Sequence, residues 1–479
     1  MNKATVDRKS IFIGGQWKTS SSYYELQNPY DLSTIAEIPL STKGEMEEAI
    51  AAADQAYAIM KALSAHERSA ILRRAAQLLE ERAEQFAQTI SLEAAKPIKT
   101  ARIEVGRSIQ TFLFAAEEAK RMYGESIPMD AAKGAEGKIA FTVREPIGVI
   151  GAITPFNFPL NLVAHKVAPA IASGNTIVLK PAEQTPLTSL KLAQLLQDAG
   201  LPDGVLNVVT GDGPALGSVL LQDERVKKIS FTGSPEVGKL IRSQSGLKKI
   251  TLELGSNSAL IIDRQADLDQ AVPKAVAGAF TYAGQVCIHT QRIYVHDDVY
   301  DDFVQRFVES VKTLKVGAPT DEQTDVSAVI NPRSQRRIID WLEEARRSGA
   351  TFLAGGEVQG QIITPTVLAN VDESQKVVCQ EVFGPVVVIN RVSLMDEAIR
   401  LTNQSRYGLN AGIFTESLNT AFRAARQLHV GQVLINEIPT FRADHMPYGG
   451  VKDSGVGKEG IRYAIQEMTE EKLIVIHNE

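Results

Sequence analysis

The spacing of apolar residues changes along the chain and divides it into regions. From about Gly44 to Met122 apolar residues recur at helical spacing, and Ser64-Ala-His-Glu67 has the capping-box pattern that begins a helix. The earlier run Ile11–Trp17 predicts a strand with a Gly-Gly turn. Residues 123–144 are polar and contain glycines before a strand-like end, which predicts a hairpin that leaves the body of its domain.

Between Pro146 and Asp263, short apolar runs alternate with helical segments. Continuous β-branched runs of this kind are typical of a parallel sheet that is covered on both faces. The β-α-β repeat implies right-handed crossovers and a doubly wound layer, in which ligands bind beyond the carboxyl ends of the strands. The predicted strands are Ile147–Ile153, Asn175–Lys180, Val205–Val209, Lys228–Phe231, Lys249–Leu252 and Ala259–Ile262.

A second α/β pattern extends from about Ser256 to Asp453. We therefore predict the α/β class, with a Rossmann-type layer followed by a second α/β layer. The expected helices and strands of the second layer, with a last strand near the C-terminus, are Val299–Leu314, Ser334–Ser348, Val386–Ile389, Gln432–Ile435 and Lys472–His477.

The composition excludes several classes of function. A chain of 479 residues with 44% hydrophobic and 23% charged residues is expected to form two or three soluble domains. The net charge of −6 gives no support to nucleic-acid binding. The polar N-terminus lacks the apolar core of a signal peptide, and no apolar run is long enough to span a membrane. Two cysteines and seven histidines show no metal-site spacing, so we expect a cytoplasmic protein with reduced thiols and no metal.

One of the two cysteines, Cys287, lies in the segment Tyr282–Arg292, directly after a Gly-Gln pair and between two apolar residues. The expected reducing compartment disfavours a disulfide, and the lack of ligand spacing disfavours a metal. Two interpretations remain from the residues alone, namely a small buried hydrophobe and a nucleophile.

Polar residues at the ends of two predicted strands are candidates for cofactor binding. Gly233 lies between a strand and a helix, whose N-terminus offers N–H groups to a phosphate, although a plain β-α turn has the same pattern. Lys180 and Glu183 close a neighbouring strand, where they face a ribose or form a solvated turn pair. A carboxylate accepts hydrogen bonds from ribose hydroxyls and repels a 2′-phosphate, so Glu183 favours NAD over NADP.

Two further strand ends carry candidates for catalysis. Glu253 is flanked by leucines, and such surroundings raise the pKa of a carboxyl group, as a general base requires. A buried acid with a structural partner is the alternative. Asn157 lies between two aromatic residues and two prolines, where its amide either donates to a developing oxyanion or satisfies a turn.

Seven segments, taken in order, resemble the aldehyde dehydrogenase superfamily over nearly the whole chain. They are Thr154-Pro-Phe-Asn-Phe-Pro159, Leu179-Lys-Pro-Ala-Glu183, Phe231-Thr-Gly-Ser234, Leu252-Glu-Leu-Gly255, Gly284-Gln-Val-Cys287, Glu381-Val-Phe-Gly-Pro385 and Pro447-Tyr-Gly-Gly-Val-Lys-Asp-Ser-Gly455. The resemblance implies that residues 1–123 and 145–255 form an NAD-binding domain and residues 256–453 a catalytic domain. It also implies that residues 124–144 and 454–479 form a small β element through which a homodimer or homotetramer assembles.

The resemblance also implies roles for single residues in the oxidation of an aldehyde with NAD. Cys287 would attack the aldehyde, and the Asn157 amide and the Cys287 N–H would hold the oxyanion. After hydride transfer, Glu253 would activate the water that hydrolyses the thioester. Glu459 matches a family glutamate that relays protons, although a surface position fits it equally. The implied cofactor contacts, with Glu381 on the nicotinamide ribose and Phe383 near the ring, are Lys180, Glu183, Gly233, Ser234, Gly255, Glu381 and Phe383.

Two positions call for comment against the family pattern. Ser256 stands where the family usually has a second glycine, and we expect its side chain to narrow the cofactor site without abolishing activity. The second thiol, Cys379, lies two residues before Glu381 and is interpreted as a core cysteine, with a redox role as the alternative.

Four basic residues align near the substrate funnel of the family: Arg107, His165, Arg442 and His445. Arginine pairs bidentately with anions, so this set favours a small aldehyde with an anionic or hydroxylated tail. The pattern is similar to the subgroup of non-phosphorylating glyceraldehyde-3-phosphate, lactaldehyde and phosphonoacetaldehyde dehydrogenases. Some phosphate-specific members have an arginine just before the nucleophile, and Val286 there disfavours glyceraldehyde-3-phosphate. Ordinary ion pairs are the alternative for each of the four.

Three hypotheses of function follow. The leading one is an NAD-dependent, hydrolytic aldehyde dehydrogenase, with NADP as the less favoured cofactor. The second is a CoA-acylating enzyme, which the presence of Glu253 disfavours because a water-activating base would hydrolyse the thioester. The third is a non-catalytic structural or binding protein on the same fold, which the presence of nucleophile, base and oxyanion donor disfavours.

Overall fold

The computed structural model describes residues 7–477 and contains two large twisted sheets, as the α/β prediction requires. The central five strands of the first sheet run parallel, and the outer strands at both ends are antiparallel to their neighbours. In sheet order the strands are Gln16–Lys18, Ile11–Ile13, Leu206–Val208, Thr176–Lys180, Val149–Ile153, Val226–Thr232, Lys249–Glu253 and Gly455–Val456. The doubly wound layer is therefore confirmed.

Apolar side chains leave the first sheet on both faces. Ile150 and Ile177 belong to one buried cluster, whereas their neighbours Val149 and Val178 belong to another on the opposite face. Because apolar side chains project from both faces, helices pack against both faces of the sheet. The helix that begins after Ser64 has the predicted capping box. The helices of this half are Lys43–Ala62, Ala65–Glu81, Ala83–Ala94, Ile98–Glu118, Asn161–Ala172, Leu187–Asp198, Gly213–Gln222, Pro235–Gln244 and Ile461–Glu467.

The second sheet is parallel except for its first pair of strands. In sheet order its strands are Thr351–Ala354, Thr366–Ala369, Val386–Val392, Arg292–His296, Ala259–Ile262, Asn410–Phe414 and Gln432–Ile435. The strand Ala259–Ile262 was predicted with the strands of the first sheet, but it belongs to the second sheet. Residues 254–258 connect the two sheets. The helices of this half are Leu268–Phe280, Asp297–Lys312, Pro332–Arg347, Lys376–Cys379, Met395–Gln404 and Leu418–Gln427.

A smaller sheet joins Ser126–Ile127, Lys138–Pro146 and Thr469–His477. The two long strands pair antiparallel from Thr469 opposite Pro146 to His477 opposite Lys138. The remaining short elements are the strand pairs Tyr23–Gln27 with Thr34–Pro39, Val358–Gln359 with Ile362–Ile363 and Tyr407–Gly408 with Val451–Lys452, and the 3₁₀ turns Met129–Ala131 and Thr281–Gly284. Between residues 7 and 477, every helix is too short or too polar to cross a membrane. Residues 1–6 and 478–479 of the expected domains lie outside the described part.

Candidate active site

A tight left-handed turn presents Cys287. The helix Leu268–Phe280 ends before it, and Tyr282, Ala283 and Gly284 all have positive φ, at 51°, 51° and 67°. A side chain at position 284 is excluded, because its Cβ would lie 2.1 Å from the carbonyl oxygen of Gly384. The Tyr282 hydroxyl donates to the Ala94 carbonyl oxygen at 2.9 Å and fixes the turn from the other side.

The Cys287 sulfur lies between two cavities and touches one phenol. Its Sγ is 3.1 Å from the Tyr448 hydroxyl oxygen. Burial raises the pKa of the Cys287 thiol to about 11, although the Tyr448 hydrogen bond and the positive charge of Arg442 act in the opposite direction. Cys287 lines both a cleft of about 610 Å³ and a smaller cavity of about 200 Å³.

The larger space, called here the cofactor cleft, lies beyond the carboxyl ends of the first sheet, which is where a doubly wound layer binds ligands. Cys287, Glu253 and Asn157 line its inner end. All the residues that the sequence predicts for cofactor binding also line it, namely Lys180, Glu183, Gly233, Ser234, Gly255, Glu381 and Phe383.

Two carboxylates shape the cofactor cleft. Glu183 accepts a hydrogen bond from the Gly213 N–H at 2.8 Å and lies 3.4 Å from Lys180 Nζ. Glu381 accepts from the Ser256 N–H at 2.9 Å, and burial raises its pKa to about 7. Glu381 packs so closely on Gly255 that a Cβ there would lie 2.3 Å from its Oε2.

Glu253 ends its strand as a buried carboxylate without a hydrogen-bond partner. Its side chain is 3% exposed, and within the described residues neither carboxylate oxygen has a partner. Burial and the nearby negative charge of Glu459 raise its pKa well above the ordinary value. Glu459 shows the opposite behaviour, because Lys166 at 2.7 Å and Arg442 at 3.2 Å overcome its burial and lower its pKa to about 2.

Asn157 is fixed through its backbone and its side chain. Lys96 Nζ donates to its carbonyl oxygen at 2.6 Å, and Lys96 forms a fully buried ion pair with Glu104. Asn157 Nδ2 donates to the Gln285 carbonyl oxygen at 3.0 Å, so one of its two N–H bonds is left for a ligand. The loop of Asn157 and the turn of Cys287 are thereby joined.

The smaller space, called here the substrate cavity, contains two of the four predicted basic residues. Arg107 and Arg442 line it together with Cys287 and Tyr448. His165 is 1% exposed and does not line it. His445 is exposed, with its ring 5.0 Å from that of Phe114, and lies outside it as well.

Asp444 connects two of the four basic residues, Arg107 and His165. It forms a bidentate pair with Arg107 at 2.7 and 3.1 Å, and its Oδ1 lies 2.9 Å from His165 Nε2. Asn161 Nδ2 donates to the same oxygen at 3.0 Å. Sequence reasoning missed Asp444, although it lies between Arg442 and His445 in a loop that the reasoning singled out.

Tyr448 was missed as well, although it belongs to the quoted segment Pro447–Gly455. The guanidinium of Arg442 stacks on the Tyr448 ring, with its Cζ 3.8 Å from the ring centroid. Cys379 lies outside both cavities, with its sulfur 3.3 Å from the Ser374 carbonyl oxygen. Between residues 7 and 477, no three His, Cys, Asp or Glu side chains are grouped as metal ligands.

Comparison with known proteins identifies the family. Residues 17–474 match the aldehyde dehydrogenase family. A 3-sulfolactaldehyde dehydrogenase from Priestia aryabhattai is 47% identical over 98% of each chain. A lactaldehyde dehydrogenase from Methanococcus vannielii is 41% identical over 98% of this chain and 100% of its own.

Solved structures agree with this result. Aldehyde dehydrogenase 21 from Physcomitrella patens, in complex with the reaction product succinate, is 40% identical and superposes with a TM-score of 0.96 over 99% of each chain. A glyceraldehyde-3-phosphate dehydrogenase from Methanocaldococcus jannaschii, complexed with NADP, is 41% identical, with a TM-score of 0.92 over 96% of this chain and 100% of its own. The resemblance drawn from the seven segments is confirmed, and the chain belongs to the aldehyde dehydrogenase family.

Proposed function

We propose that this protein oxidises small anionic aldehydes to carboxylates with a nicotinamide dinucleotide, through covalent catalysis at Cys287. The observation that carries the proposal is the meeting of two cavities at one sulfur. Asn157, Glu253 and the candidate cofactor residues line one, and Arg107 and Arg442 line the other. Family membership supports an enzyme and argues against the non-catalytic alternative.

The cofactor cleft fits a dinucleotide. Gly255 has no side chain, so the cofactor can approach the backbone closely there. The helix that Ser234 caps offers its N-terminal N–H groups to a phosphate. Glu183 has one oxygen on the Gly213 N–H and is 42% exposed, so it is available to ribose hydroxyls. When bound, the nicotinamide would accept the hydride of the aldehyde. Glu183 favours NAD, because its charge opposes a 2′-phosphate.

The first covalent step forms a bond between the sulfur and the aldehyde carbon. The Cys287 thiolate attacks, and the electron pair of the carbonyl moves to its oxygen. The free N–H of the Asn157 amide and the backbone N–H of Cys287 would stabilise that oxyanion. Loss of hydride from the same carbon leaves a thioester on Cys287.

Glu253 provides the base for the second step. Its oxygens accept a proton from water, the resulting hydroxide attacks the thioester, and the sulfur leaves as a thiolate. A raised pKa suits this role, because burial and the charge of Glu459 strengthen the base. The unpaired carboxylate favours hydrolysis over transfer to CoA. Equal yields of free acid with and without added CoA would support this choice.

The substrate cavity favours a negatively charged tail. Arg442 is 4% exposed, and its Nε has no hydrogen-bond partner among the described residues. Arg107 uses Nε and Nη2 on Asp444 and remains 26% exposed on its other side. Guanidinium groups with free N–H bonds recognise carboxylate, phosphate or sulfonate oxygens. The relationship to a 3-sulfolactaldehyde dehydrogenase supports an anionic tail.

A panel of aldehydes tests the proposal, with NADH absorbance as the readout. Sulfolactaldehyde and succinate semialdehyde should exceed neutral lactaldehyde by more than about tenfold in kcat/KM, since hydrogen bonds to charged groups contribute about 1.5–3 kcal/mol. Cys287→Ser should abolish NADH production, whereas the control Cys379→Ser should retain it. Normal turnover by Cys287→Ser, or a preference for neutral aldehydes, would contradict the proposal.

Assembly and location follow the same reasoning. The strands Lys138–Pro146 and Thr469–His477 expose Ile139, Leu473 and Val475, which are 47–54% accessible in the single chain. We propose that these side chains are covered in a homodimer or homotetramer, which would also protect the sheet edge. The first sheet would then be the NAD-binding domain and the second the catalytic domain of a cytoplasmic enzyme.

A further inference from the structure

We infer that the Tyr448 hydroxyl is a catalytic hydrogen-bond donor to the Cys287 thiolate, with Arg442 as its positioning residue. The inference rests on the proposed nucleophilic role of Cys287 and adds a partner to it. The sulfur and the phenol oxygen are 3.1 Å apart, and Tyr448 is 1% exposed. The phenol is therefore buried, whereas Cys287 is partly exposed where it lines the two cavities.

The direction of this hydrogen bond follows from the two groups. Burial, and then the charge of Cys287, raise the pKa of Tyr448 well above its ordinary value, so the phenol keeps its proton at working pH. A thiolate has no proton to give. Once the thiol has ionised, Tyr448 must be the donor and the sulfur the acceptor.

The sulfur needs such a donor. Burial raises the pKa of the thiol to about 11, and the negative charges of Glu381 and Glu253 raise it further. Tyr448 and Arg442 are the groups that favour the thiolate. Without Tyr448, Arg442 alone would oppose the two carboxylates and the effect of burial, and the thiolate would be scarcer.

Arg442 fixes the phenol from above. Its Cζ lies 3.8 Å from the centroid of the Tyr448 ring, and a cation over the ring draws electron density from it and strengthens the O–H as a donor. Glu459 holds Arg442 at 3.2 Å. The backbones of Tyr448 and Glu459 exchange two hydrogen bonds, of 3.0 and 2.7 Å. Cation, ring and anion therefore form one rigid unit beside the sulfur.

The test measures the thiol without aldehyde or cofactor. In a Cys379→Ser background Cys287 is the only thiol of the chain. Its alkylation by iodoacetamide is followed by intact mass between pH 6 and pH 10 on the full-length protein, a range in which the thiol is mostly protonated and the rate reports the thiolate fraction. Tyr448→Phe keeps the ring and removes the hydroxyl. We expect alkylation about tenfold slower across this range, which corresponds to a thiol pKa about one unit higher. Arg442→Lys, which keeps the charge but loses the planar stack, should give a smaller shift of the same sign.

The matched control is Tyr294→Phe. Tyr294 is also 1% exposed and its hydroxyl donates to Glu373 at 2.8 Å, but it lines neither cavity. Its alkylation rates should equal those of the background. Unchanged rates in Tyr448→Phe, or an equal decrease in Tyr294→Phe, would overturn the inference. A protein with the expected profiles that oxidised no aldehyde would contradict the proposed function and leave this inference intact.

Discussion

The cofactor cleft and the substrate cavity meet at Cys287. They differ in whether the buried carboxylate beside them has hydrogen-bond partners. In the cleft, both oxygens of the Glu253 carboxylate are without partners in the described chain. In the loop behind the cavity, Asp444 holds Arg107 and His165 at hydrogen-bond distance. An unpaired buried carboxylate costs free energy, whereas a paired one fixes its neighbours.

This contrast separates a residue that can take part in the reaction from a residue that positions its neighbours. Glu253 is free to take a proton, because nothing within residues 7–477 satisfies its carboxylate. Asp444 is not free, because Arg107, His165 and Asn161 occupy it. A group that reacts is thus left without partners, and a group that positions others is saturated with them.

The largest effect is expected for Glu253→Gln. An amide of the same size removes the base, so steady-state release of acid should fall by about 10²–10⁴-fold, the usual contribution of a general base. The first burst of NADH should remain, because the amide leaves attack by Cys287 intact. Stopped-flow absorbance separates the two phases. Equal loss of burst and steady state would show that Glu253 acts before thioester hydrolysis.

Asp444→Asn should instead reduce stability. The variant leaves Arg107 without its counterion, and because the Arg107 side chain remains 26% exposed we expect a loss of about 1.5–3 kcal/mol in unfolding free energy, the range for hydrogen bonds to a charged group. Denaturant unfolding measures this. The pKa of Asp444 is depressed, since His165 and Arg107 overcome its burial. The difference between wild type and variant should therefore be full above the ordinary aspartate pKa and shrink as the pH falls below it.

The control for that variant is Asp453→Asn. Asp453 is partly exposed and pairs with Lys239 and Arg406, both at 2.9 Å. Exposed pairs contribute about 0–1 kcal/mol, so this variant should lose little. A comparable loss in both variants would show that Asp444 has no special positioning role.

The two cavities also differ in how well the sequence predicted their residues. Lys180, Glu183 and Glu253 follow strands, and the carboxyl ends of parallel strands meet at one edge, so local pattern was enough to gather the cleft. Arg107 and Asp444 lie on elements that are distant in sequence, and no periodicity links them. Alignment placed His165 near the substrate funnel, but its ring lies against Asp444 and does not line the cavity. Alignment to the family located the loop of Tyr448 without showing that its phenol meets the sulfur.

Glu459→Gln tests whether the charge of Glu459, which is paired, sets the pKa of Glu253, which is unpaired. The negative charge of Glu459 raises the pKa of Glu253, after the larger effect of burial, while Arg442 and Lys166 lower it. Removing that charge leaves the cations in excess, so the pKa of Glu253 should fall. Since Glu253 is a base only when ionised, the rising limb of kcat against pH should move to lower pH. Glu467→Gln, which removes an exposed partner of Lys228, is the control. A limb that is unmoved, or moved to higher pH, would contradict this coupling.

The smallest effect is expected for Ser256→Gly, which restores the glycine common in the family. The sequence suggested that this side chain narrows the cofactor site, but its hydroxyl lies 3.2 Å from that of Ser258, and the residue is 4% exposed and does not line the cleft. What reaches Glu381 is the backbone N–H of Ser256, which glycine also has. The KM for NAD should therefore change by less than about twofold, well within the 1.4 kcal/mol that corresponds to tenfold. A large change would place the Ser256 side chain, rather than its backbone, among the groups that set the cleft.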